Sequence, residues 1–172
     1  MRWWLKHGNL LNQPADVLIV SANPFLTLSG GVGGELLLRY GQDVQDELRR
    51  YLQSRKLRYV QPCDVVPTYS GATPYRVVLH AVAIDAFYDS SPEWITTTIT
   101  KALQMAAEHG VQRVALAALA TGYGKMPLAE FAIGLRPLLN ESFGTVEEVL
   151  LGVQSAEKHA ALAALLPEFL QH

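Results

Sequence analysis

Glycines and an asparagine, not a cluster of ionisable groups, make up the segment of this sequence best suited to chemistry. Gly30, Gly31, Gly33 and Gly34 crowd around Val32, just before a helix-like stretch over 35–40. Glycines let the backbone come close to a ligand, and the first amides of a helix lack partners within it and point outward. Together these make an anion site, most naturally for a phosphate or diphosphate. Upstream, Val17-Leu18-Ile19-Val20 is a short apolar run of the kind that is buried on both faces of a sheet. Asn23-Pro24 is a turn dipeptide that ends it. Two phosphate motifs do not fit. The dinucleotide pattern would need a third glycine where Leu36 stands, and a P-loop through Gly124-Lys125 would need other residues than Leu119 and Met126.

A second loop has the same character. Ala120-Thr121-Gly122-Tyr123-Gly124-Lys125-Met126-Pro127 follows an apolar run over 113–119. Pro127 suits the first turn of a helix that continues through Leu128, Phe131, Leu135 and Leu138. Two strand–loop–helix units in a parallel-type sheet place both loops at the carboxyl ends of their strands. Open α/β sheets bind ligands in that crevice.

The elements that must position these loops follow from periodicity. Strands are expected near 1–7, 16–22, 64–68, 76–83, 113–119 and 146–152, and helices near 33–40, 43–54, 93–109, 127–139 and 156–170. Over 42–55, Val44, Leu48, Tyr51 and Leu52 recur at helical spacing, with Asp43, Asp46, Glu47, Arg49 and Arg50 on the wet side. Gly110 suits the position just past a helix end. Strands alternate with helices after the first pair, which predicts an α/β fold: a three-layer α/β/α sandwich around a mixed central sheet. With no linker, repeat or low-complexity tract, the 172 residues are expected to form one domain over 1–172.

At this point the residues resemble a known family. Ser21-Ala22-Asn23-Pro24, the Gly-rich loop over 30–34 and Ala120-Thr121-Gly122-Tyr123-Gly124-Lys125-Met126-Pro127 together look like a macrodomain, the ADP-ribose-binding module. The frame runs without a gap from Asn23 to Gly41, and the resemblance continues through 64–68 and 75–82, which look like the family's next two strands. The resemblance implies ligand contacts at Asn9, Leu10, Ala22, Asn23, Gly30, Gly31, Val32, Gly33 and Gly34. On the facing wall it implies Ala120, Thr121, Gly122, Tyr123, Gly124 and Lys125. Asn23 would contact the distal ribose, the Val32, Gly33 and Gly34 amides would bind the diphosphate, and Tyr123 would pack on the distal ribose. The plain readings stand beside these: Asn23 as a turn residue, Lys125 as a solvated cation, and Tyr123 as a packing residue.

The departures from the family pattern bear on activity. Gly8-Asn9-Leu10 stands where the family has an Asp that accepts from the adenine amino group; the neutral Asn9 carbonyl would accept more weakly. Gly33 replaces the acid of the hydrolase branch, Leu37 its histidine, and Gln154 the aromatic that stacks on adenine. The catalytic residues therefore stay open, with Asn23 and Glu35 as candidates. Three functions remain: a module that binds ADP-ribose, free or on a protein; a hydrolase of ADP-ribosyl conjugates or O-acetyl-ADP-ribose; or a binder of another nucleotide.

The remaining residues narrow the field. His7, His80, His109, His159 and His172 are scattered without metal-ligand spacing, so no metal and no cofactor are expected. His80, inside an apolar strand, reads as a hydrogen-bonded core residue. Cys63 is the sole cysteine and has no nearby base, which fits a reducing cytoplasm and no disulfide framework. A formal net charge of −2 gives no footprint for nucleic acid or an anionic membrane. No apolar run approaches the roughly 18 residues of a membrane span, and 1–7 lacks the apolar core of a signal peptide. The oligomeric state and physiological substrate are left open.

Overall fold

Val17, Leu18, Ile19 and Val20 are completely buried. The strand they form, β2 (Val17–Ser21), is hydrogen-bonded on both sides to parallel neighbours, β4 (Val77–Ala81) and β5 (Arg113–Ala117). Residues with no polar side chain to solvate and β-branched stems suit such a position. The computed structural model describes residues 1–122 and 124–171. In it the sheet is completed by β1 (Arg2–His7), β3 (Val65–Thr68), β6 (Glu148–Val153) and β7 (Leu170–Gln171). The order is β3-β4-β2-β5-β6-β1-β7, and only the β3–β4 pairing is antiparallel. The sheet is mixed, as expected.

Two helices, α1 (Gly31–Tyr40) and α2 (Asp43–Ser54), pack together beside β2 and β3. A second layer holds α3 (Pro92–Glu108), α4 (Leu128–Leu135) and α5 (Ala156–Leu165), packed in that order. The result is the three-layer α/β/α sandwich. The start of α3 is set by Ser91, whose hydroxyl accepts from the Trp94 amide, and by Pro92 in the first turn.

Prolines account for the main differences from the expected elements. The helix expected over 127–139 is α-helical only to Leu135 and continues as a 3-10 turn, Arg136–Asn140. Pro137 lacks the amide and crowds the preceding turn. The helix expected to reach 170 ends at Leu165, because Pro167 disfavours helical geometry at Leu166 (φ −129°, ψ 68°). The chain then adds β7 at the sheet edge. A 3-10 turn at Leu10–Asn12, capped by the Asn9 side chain, was not anticipated.

Candidate functional site

β2 and β5 lie side by side, yet the chain leaves them in opposite directions. From β2 it passes through α1 and α2 to β3, and from β5 through α4 to β6. Adjacent parallel strands whose outgoing connections diverge leave a crevice at their carboxyl ends. A cavity of about 390 Å³ occupies it. Ser21, Ala22 and Asn23 floor it from β2, Ala117 and Ala118 from β5, Gly152 and Val153 from β6, and His80 from β4. The cleft thus runs across the ends of four parallel strands, a span of roughly 14 Å at the usual strand spacing.

One wall is the start of α1. Gly30 and Gly31 have φ of 54° and 48°, a left-handed geometry that a side chain resists. The helix has no side-chain cap and no acid in its first turn. Its first internal bond is from the Gly34 amide to the Gly30 carbonyl at 2.8 Å. The Gly31, Val32 and Gly33 amides precede that bond and have no partner within the helix, and all three residues line the cleft. The Gly34 amide is committed to the helix, and Gly34 does not line the cleft. The set of free amides therefore sits one residue earlier than the sequence suggested.

The opposite wall is the loop after β5. Thr121, Gly122 and Gly124 line the cleft, while Ala120 is buried behind it. The loop is tight: the Met126 amide bonds to the Ala120 carbonyl at 2.9 Å, and a Cβ on Gly124 would lie 2.5 Å from that same oxygen. Thr121 donates its hydroxyl to Ala118 O at 2.8 Å, so this proton serves the loop. Lys125 is exposed and is not part of the lining. Tyr123, expected to pack on a ribose, lies outside the described residues.

Asn23 lines the cleft and also closes its own turn. Its Oδ1 accepts from the Phe25 and Thr27 amides at 3.0 and 3.3 Å, and Nδ2 donates to Thr27 O at 2.9 Å. One Nδ2 proton remains for a ligand. Asn9 and Leu10 do not line the cleft. Asn9 accepts from the Leu11 amide and donates to Glu35, whose carboxylate also takes Arg39 at 2.8 Å. Leu10 is buried against Gly152, where a Cβ would lie 2.5 Å from its Cδ1. Both Asn9 and the catalytic candidate Glu35 are thus held in a polar cluster outside the cavity.

Sequence reasoning missed Lys158. It lies in the first turn of α5 and its Nζ donates to Thr121 O at 3.0 Å. Among the described residues it is the one Lys, Arg, Asp or Glu that lines the cleft. A cation at the positive end of a helix is unfavourably placed, and that misfit is a signal visible in Ser155-Ala156-Glu157-Lys158. His80 was read as core; it is fully buried and also lines the cleft. Burial depresses its pKa to about 4, opposed in part by the Glu47 charge. Among the described lining residues the chemistry on offer is a row of unpaired amides, one cation and no carboxylate.

The chain belongs to the Macro domain family, whose model matches residues 19–133. A macro domain-containing protein of Streptomyces griseus is 29% identical over 147 residues, which are 84% of this chain and 83% of that one. The Oceanobacillus iheyensis macrodomain, solved with ADP, superimposes with a TM-score of 0.83 at 18% identity over 95% of this chain and 88% of that one. The Trypanosoma brucei macrodomain, solved with ADP-ribose, gives 0.78 at 20% identity over 96% and 69%. These two likenesses concern the fold.

Proposed function

We propose that this macrodomain binds ADP-ribose, free or attached to a protein, in the cleft over β4, β2, β5 and β6. The observation that carries the reading is the pairing of the open N-terminus of α1 with Lys158 in a cavity lined by no carboxylate among the described residues. Helix amides and one cation in the middle of an elongated cleft suit a diphosphate with a group on either side. Ligand contacts are assigned to Asn23, Gly31, Val32, Gly33, Gly122, Gly124 and Lys158. Calorimetric titration with ADP-ribose, with AMP as the control, tests this. Micromolar binding of ADP-ribose and much weaker binding of AMP is expected, and equal binding of the two would refute it.

Binding is favoured over hydrolysis. Cleavage of an ADP-ribosyl ester needs a positioned group to activate water. Glu35 is occupied by Arg39 and Asn9 away from the cleft. Glu35→Gln is therefore expected to leave ADP-ribose affinity unchanged, and turnover of an ADP-ribosylated protein that this variant abolished would reverse the ranking. The lone Cys63 fits a cytoplasmic location.

A further inference from the structure

His80 sits on β4 opposite Val66 of β3 and Val20 of β2, wholly out of solvent. The residue nevertheless lines one end of the cleft, with Leu26, Leu48, Ile84 and Tyr88. Thr68, itself buried, holds Nε2 at 2.9 Å. Nδ1 is buried with no hydrogen-bond partner. Of the described buried side-chain atoms in that condition, it alone belongs to a residue lining the cleft. An unmet ring nitrogen in a core costs about 1–3 kcal/mol. This histidine spends one nitrogen on Thr68 and leaves the other without a partner, in a residue that lines the cleft.

The kind of group it would take follows from its charge and place. With its pKa depressed to about 4 by burial, the ring is neutral at pH 7 and exerts no pull on phosphate. A neutral ring nitrogen suits a hydroxyl, which can donate or accept whichever tautomer Thr68 imposes. His80 lies at the β4 end, opposite Gln154 at the end of β6, with the two amide-bearing loops and the Lys158 ammonium between. If the diphosphate occupies the middle, one end receives the base and the other the terminal sugar.

We propose that His80 Nδ1 binds a hydroxyl of the terminal ribose and so separates ADP-ribose from ADP. This rests on the ADP-ribose reading above. The test is ring-nitrogen NMR of the wild-type protein carrying 15N-labelled histidine, titrated with ADP-ribose and, separately, ADP. The His80 Nδ1 resonance is expected to move with ADP-ribose and not with ADP. An Nδ1 signal that stays fixed while the 30–33 backbone signals shift overturns the proposal, as does an equal shift with both ligands. If no backbone signal responds to either ligand, the ADP-ribose reading itself falls and this inference with it. In a folded His80→Leu variant, the affinity ratio of ADP-ribose to ADP should fall about three- to tenfold, the value of one hydrogen bond. His80→Gln should restore part of it, and an unchanged ratio in His80→Leu would count against the proposal.

Discussion

Lys158 Nζ lies 3.0 Å from the carbonyl oxygen of Thr121, tying the first turn of α5 to the loop after β5 along the cleft wall. The bond is to a neutral oxygen, and among the described residues no carboxylate pairs with this ammonium. A diphosphate would offer it a stronger, charge-assisted partner. Lys158→Ala should therefore weaken ADP-ribose binding about tenfold, in line with a hydrogen bond to a charged group, and flatten its salt dependence. Lys125→Ala should change neither. Titrations at low and high salt decide between the two lysines, and an effect confined to Lys125 would reassign the cation.

Asn23 carries two duties that substitution can separate. Asp in its place keeps the acceptor for the Phe25 and Thr27 amides but loses the donor to Thr27 O and brings a negative charge to the cleft. Asn23→Asp should thus cost modest stability, about 1 kcal/mol for the lost bond, yet lower ADP-ribose affinity far more. Thermal melting beside calorimetry checks this. A variant equally impaired in both would mean that Asn23 acts on the ligand only through the turn.

Most of the scaffold was legible because the strands announce themselves. Val17 to Val20 reads as a buried strand, and Ser21-Ala22-Asn23-Pro24 marks where it stops. The Gly-rich loop was legible for the same local reason. What escaped depended on distant contacts. Nothing local says that Asn9 turns to Glu35, which follows from Arg39 and the 3-10 turn at Leu10–Asn12. Nor does the strand Val77–Ala81 reveal that one nitrogen of His80 faces a hydroxyl and the other has none. Lys158 escapes a local reading because it reaches the cleft from α5 through a contact with Thr121, 37 residues away, although a lysine at a helix start is itself an oddity.

The glycines divide into two kinds that alanine substitution should distinguish. Gly33 is helical, and a Cβ there would meet Leu28 Cδ2 at an ordinary 3.7 Å. Gly33→Ala should hold or raise stability, by up to about 1 kcal/mol of helix propensity. At Gly124 the Cβ would meet backbone, 2.5 Å from Ala120 O, so Gly124→Ala must distort the loop that faces α1. Its ADP-ribose affinity should drop at least tenfold, the scale of a binding contact moved out of place. Comparable behaviour of the two variants would show that the loop after β5 adapts and does not set the far wall.

The depressed pKa of His80 also gives the fold a pH dependence of definite sign. Burial lowers the folded value to about 4 from the ordinary 6.5. Between those values the unfolded chain binds the proton and the folded protein does not, so stability falls as pH drops from about 6.5 to about 4. The full effect is roughly 3 kcal/mol. Asp16 and Glu47 add to the loss only lower. The Arg113 amide, opposed by burial, holds Asp16 below the ordinary 3.8. At Glu47 burial works upward, but hydrogen bonds from Ser70 and Tyr69 leave the carboxyl below 4.5. Urea denaturation at pH 7.5, 6 and 5 should show a steady decline in the wild type. In His80→Leu, where no imidazole can titrate, the decline above pH 5 should shrink by more than half. A variant that kept the wild-type slope would place the titrating group elsewhere and would mean that the folded protein accommodates a charged imidazole on β4.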